Sequence, residues 1–159
     1  MKSNADLKTI LVLTDFSKTA RHAADYALFL AEQLTADILL FNSYYVPVPG
    51  FDSWPAKDYP ALLQNSKSKL EKEASRLNSI LENNQNNFKP VINYSSDGGL
   101  VADNVYNIIN DKKNIMMLVM GGYKAYNNDD ILFGSEITAV LCKARCPAVI
   151  VPEFPFLRE

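Results

Sequence analysis

Cysteine, histidine, glycine and excess charge of either sign are all scarce in this 159-residue sequence, and each scarcity excludes a class of protein. The two cysteines, Cys142 and Cys146, are too few for a disulfide framework and lack the second pair that a zinc site needs. Their expected role is packing. The single histidine, His22, permits neither a Ser-His-Asp arrangement nor a histidine-based metal cluster. Sixteen Lys and Arg against 18 Asp and Glu leave a formal charge of −2 with no basic cluster, so no nucleic-acid partner is expected. Long hydrophobic runs are absent: ILVL at 10–13, ILLF at 38–41 and IMMLVM at 115–120 are far too short to span a bilayer, so no membrane partner is expected either. The opening MKSNADLKTI carries no signal-type apolar region, which points to a soluble, cytoplasmic protein. Six glycines and eight prolines amid 48% hydrophobic residues exclude a collagenous or low-complexity chain. A single globular domain over 1–159, long enough to bury a full core, is the expectation.

What is present is an alternation of short apolar runs with longer segments of helical period, the pattern of a parallel α/β sheet. The first run, Thr9 to Thr14, is apolar on consecutive residues, as suits a strand buried on both faces. Ser17 then stands at an N-cap position, and Ala20, Ala23, Ala24, Ala27, Leu28, Ala31 and Leu34 form one helical stripe. A second strand spans Asp37 to Ser43. Residues 44–60 carry four prolines and exclude a regular element, with Pro60 suited to the first turn of the next helix. That helix buries Leu63, Leu70, Ala74, Leu77 and Leu81 and dissolves into the Asn-rich stretch 83–87. Further strands are predicted at Val91–Ser95, Ile115–Met120 and Ala148–Val151. Helices are predicted from about Leu100 to Ile109, with Val105, Ile108 and Ile109 inward, and from Gly134–Ser135 onward, with Ile137, Val140, Leu141 and Ala144 inward.

Five strands alternating with four helices specify an open, doubly wound parallel sheet with helices on both faces. In the common order the C-terminal ends of strands one and four meet where the winding reverses, and ligands bind there. Thr14, Asp15, Gly121 and the loop after Gly121 fall at that point.

These residues carry a family resemblance over nearly the whole chain. The opening ILVLTDFSKTARHAADYALFLAEQLTADILLFNSY resembles the start of the universal stress protein family, with its T-D-x-S type turn. The closing VMGGYKAYNNDDILFGSEITAVLCKARCPAVIVPE is similar to that family's glycine loop, helix and last strand. The resemblance implies a flavodoxin-like strand order 3-2-1-4-5, a homodimer and, in one subgroup, ATP bound at the switch point. It assigns Asp15 to hydrogen bonds with the adenosine and Ser43 to a backbone contact with the base. The subgroup pattern G-x2-G-x9-G-[ST] is met at Gly121, Gly134 and Ser135, but Lys124 replaces the middle glycine.

Each of these residues also has a plainer role. Asp15 suits a turn that caps the following helix. Gly134 and Ser135 open a helix whose N–H groups suit an anion, yet any helix start looks the same. Lys124 would cost about 1–2 kcal/mol in a left-handed conformation, and Asp129 and Asp130 oppose phosphates in the same loop. Lys124 contacting a phosphate, or the aspartates holding Mg²⁺, would offset this. The aromatic loop containing Trp54 reads either as a lid or as a segment packing its own rings.

The leading expectation is a non-enzymatic stress-response regulatory module acting as a homodimer, with nucleotide binding weak or lost and no cofactor assigned. The alternative is an ATP-binding member using ATP with Mg²⁺, at most hydrolysing it slowly or phosphorylating itself. A flavin carrier would have a phosphate loop richer in Ser, Thr and Gly than TDFSKT. A phospho-receiver would need an acidic partner beside Asp15 and a lysine after the last strand. Dimerisation is expected through strand five, Ala148 to Val151, an apolar edge without lysine, extended by Phe154, Phe156 and Leu157.

Overall fold

The computed structural model describes residues 7–46, 59–124, 131–132 and 135–152. The strands are β1 (Thr9–Leu13), β2 (Asp37–Tyr44), β3 (Ile92–Gly98), β4 (Ile115–Gly121), a short pair β5 (Tyr123–Lys124) and β6 (Ile131–Leu132), and β7 (Ala148–Val151). The helices are α1 (Lys18–Leu34), α2 (Tyr59–Asn83), α3 (Val101–Asp111) and α4 (Ser135–Lys143). The main sheet has the order β3-β2-β1-β4-β7, which is 3-2-1-4-5 once the β5–β6 pair is set apart. All four neighbouring pairs in it are parallel.

Period-two alternation divides the core into two layers. Ile10, Val12, Ile38, Leu40 and Val119 face α1 and α2, where they meet Ala23, Ala27, Leu70 and Leu77. Leu11, Leu39, Phe41, Leu118 and Met120 face the other way, onto Val105, Ile137 and Val140 of α3 and α4. Five alanines of α1 are buried, four of them fully, which lets that helix lie close on the central strand.

Several boundaries differ from the sequence expectation for identifiable reasons. β3 runs on through Ser96 and Asp97 to Gly98, because pairing with Asn42, Ser43 and Tyr44 continues through polar residues. The predicted loop after Gly121 instead holds two short antiparallel strands, with Lys124 opposite Ile131. Lys124 is therefore extended rather than left-handed. The positive-φ positions among the described non-glycine residues are Phe16 and Thr35. The conformational penalty expected at Lys124 does not arise. Leu34 and Leu141, expected inward, are exposed at 45% and 36%, and both lie in the last turns of their helices. Phe154, Phe156, Leu157, Trp54, Asp129, Asp130 and Gly134 lie outside the described residues.

The cysteines separate. Cys146 packs partly buried against the α3–α4 layer, whereas Cys142 is exposed, so the packing role holds for Cys146 alone. Burial pushes the Cys146 thiol up, leaving less thiolate at neutral pH. Brief treatment with a maleimide at pH 7 should label Cys142 first. Peptide mass spectrometry showing Cys146 modified at the same rate would contradict this.

Candidate functional site

The turn after β1 is built by its own side chains. Thr14 Oγ1 accepts from Phe16 N at 3.0 Å, and Asp15 Oδ1 accepts from Ser17 N at 3.0 Å. Ser17 Oγ accepts from Ala20 N at 3.2 Å and caps α1, as its position in the sequence predicts. This tight turn forces Phe16 to φ 66°, a left-handed conformation that an aromatic residue rarely adopts. Phe16 is retained there by packing on the α1–α2 layer and by Lys69 Nζ, 5.5 Å from its ring centroid. The capping role of Asp15 uses one carboxylate oxygen.

A buried network ties that turn to its neighbours. Asn42 Nδ2 donates to Thr14 O at 2.8 Å, and Ser66 Oγ of α2 donates to Asn42 Oδ1 at 2.6 Å. Ser96 Oγ of β3 donates to Asn42 O at 3.1 Å and lies 2.5 Å from Ser66 Oγ. Asn42 thus satisfies its amide on both sides and fixes the ends of β1, β2 and β3 relative to α2. Ser43 does the same for the next turn. Its hydroxyl donates to Gly99 O at 2.8 Å and accepts from Asn104 Nδ2 at 2.9 Å, and Asn104 Nδ2 also reaches Gly98 O at 3.2 Å. Gly99 has φ +107°, a conformation that requires glycine at this turn.

Between these turns lies a cavity of about 490 Å³ at the C-terminal ends of β1 and β4. Its volume is that of a small-molecule site. Of the residues to which the sequence points, Thr14, Asp15, Ser43 and Gly121 line it together. Ser135 begins α4 at its rim, one residue before the lining Glu136. Lys124 stands in β5, three residues past Gly121, and Gly134 lies outside the described residues. Asn42, Leu100 and Glu136 also line the cavity and are not among the sequence candidates. Met120, Ile137 and Val140 supply apolar wall. Among the described residues no three His, Cys, Asp or Glu side chains come together as metal ligands. No helix among them is long and apolar enough to cross a membrane.

An open parallel sheet of order 3-2-1-4-5, with a cavity where its winding reverses, defines a flavodoxin-like α/β domain. The sequence profile described as "Universal stress protein family" matches residues 6–152, and the chain belongs to that family. A search of functionally curated proteins gave no significant match. Among solved structures, the universal stress protein UspA from Lactobacillus plantarum is similar with a TM-score of 0.70 and 18% identity, over 93% of this chain and 99% of that one. A universal stress protein solved in complex with cAMP aligns with a TM-score of 0.63 and 19% identity, over 91% and 96% of the two chains. The universal stress protein from Archaeoglobus fulgidus, in complex with dAMP, aligns with a TM-score of 0.60 and 16% identity, over 91% and 97%. At these identities the likeness speaks for the fold.

Proposed function

We propose that this chain is a non-enzymatic regulatory module that binds an adenine nucleotide in the switch-point cavity and works as a homodimer. The observation that carries this reading is the cavity itself. It combines an apolar wall with a short list of polar groups already held in place by Asn42, Ser66 and Asn104. Preorganised polar groups in an apolar cleft suit a ligand with a flat ring and a hydroxylated edge. Relatives of the same fold solved with cAMP and dAMP support the adenine class. The second oxygen of Asp15 suits a sugar hydroxyl, since a carboxylate only accepts.

Catalysis is not part of the proposal. No histidine lines the cavity among the described residues, and the Asp15 carboxylate there is engaged with the Ser17 backbone N–H. The dimer reading rests on β7. It is the outer strand next to β4, with Ala148, Val149 and Ile150 only half-buried in the single chain.

Thermal-shift titration with cAMP, AMP and ATP, with and without Mg²⁺, tests the ligand. A saturable rise in melting temperature with at least one is expected, because a ligand that binds only the native state stabilises it. No shift with any of them overturns the adenine reading. Light scattering at micromolar concentration should give twice the chain mass, and a monomer would overturn the dimer.

A further inference from the structure

Three helices, α1, α3 and α4, start at the rim of the cavity, contributing Ser17, Val101 and Glu136 to its lining. Each helix N-terminus carries about half a positive charge, so together they offer about one and a half. Taken alone, that convergence would make an anion site. The chain, however, brings its own negative groups to the same place. Asp15 already accepts from the first turn of α1, and Glu136 occupies the first turn of α4. Asp103 in the first turn of α3 is paired with Lys143. Asp15 and Glu136 both line the cavity, and none of its described lining residues is Lys, Arg or His. Among the described lining residues, two full negative charges against about one and a half positive from the helix ends leave a slight negative excess before any ligand enters.

We infer that Glu136 sets a charge selectivity in this cavity, which admits an adenosine-type ligand carrying at most one negative charge and rejects the triphosphate. This rests on the adenine reading above. The ligand class is the nucleoside or its cyclic monophosphate. The base and sugar meet Thr14, Asp15 and the apolar wall, while each added phosphate charge meets the Asp15 and Glu136 carboxylates that line the same cavity.

The test is titration calorimetry on the full chain with adenosine, cAMP and ATP, the last with and without Mg²⁺. Adenosine and cAMP should bind within about threefold of one another and ATP at least about tenfold more weakly. The ratio of ATP to adenosine affinity should rise several-fold in Glu136→Gln. It should also rise in the unaltered protein at about 1 M salt, where screening acts within roughly 3 Å. A ratio is insensitive to a general loss of folding, and steric rejection of ATP would respond to neither change. ATP binding as tightly as adenosine overturns the inference while leaving the adenine reading intact. So does tight ATP binding that Lys124→Ala abolishes, since Lys124 would then supply the missing cation. A gap that neither Glu136→Gln nor salt narrows overturns it as well. Absence of binding by all three compounds overturns the adenine reading, and the selectivity falls with it.

Discussion

Replacing Gly121 with alanine should lower the melting temperature by several degrees and weaken any ligand of the cavity by about tenfold or more. A Cβ at this position would stand 2.6 Å from the Thr19 methyl and 3.1 Å from the Thr19 backbone C and O. Gly121 cannot retreat, because it is paired with Val151 and Gly122 N donates to Val151 O at 2.8 Å. The first turn of α1 must therefore move, carrying Ser17 and the Asp15 carboxylate bonded to it. Overpacking of this kind costs about 1–3 kcal/mol, and each kcal/mol is worth about 2–4 °C for a chain of this size. Glycine at 121 thus has a reason independent of any phosphate: it lets a helix start against the strand end. Differential scanning calorimetry reads the first effect and calorimetric titration the second. A variant that melts with the parent would show that α1 yields freely.

Arg76→Met should destabilise the fold by about 3 kcal/mol. Glu73 on α2 is buried, and its carboxylate accepts from Arg76 Nη2 at 2.5 Å and Nε at 3.1 Å, a two-point clasp. Arg76 also donates to Asp25 Oδ1 of α1 at 2.7 Å, so the cluster ties the two helices together. The hydrogen bonds that Arg76 donates to Glu73, opposed by burial and reinforced by Asp25, raise the guanidinium pKa beyond its already high value, and Arg76 stays charged throughout. Removing it leaves a buried carboxylate with Arg21 Nε at 3.9 Å. Arg21 is half-exposed and free to swing closer, which keeps the loss at the low end for a buried pair broken from one side. Denaturant titration measures the loss. The double variant Glu73→Leu with Arg76→Met should recover most of it, because no unpaired charge then remains. A single variant within about 0.5 kcal/mol of the parent would mean that solvent already screens the pair.

The sheet order was legible because its three inner strands are written as continuous apolar runs, and the helices as stripes of Ala and Leu. The same topology placed Thr14, Asp15, Ser43 and Gly121 on one edge, where the cavity lies. The β5–β6 pair was not legible, since two residues on each side carry no periodic signal. Ser66 and Glu73 gave a signal that a stricter reading would use. They continue the stripe of Leu70, Ala74, Leu77 and Leu81, and a polar residue on a buried stripe demands a partner. The partners of Ser66, Asn42 and Ser96, come from other elements, whereas Arg76 stands one turn beyond Glu73 on the same helix. Glu136 looked like an ordinary acid complementing a helix start. Only the structure shows that it lines the cavity.

The reversal of winding at β1 also dictates an order of assembly. Residues 9–98 contain β1, β2 and β3 with their two crossover helices, whereas β4 and β7 belong to the last third of the chain. The partnership of Ile10 with Met117 and Leu11 with Leu118 spans more than a hundred residues, and closures of that length are slow. Neither part holds the cavity alone, since Thr14, Asp15 and Ser43 come from the first and Gly121 and Glu136 from the second. A chain emerging from the ribosome can therefore complete the cavity only after β4 has zipped onto β1 and α4 has followed, so a formed cavity is a sign that the two parts have joined.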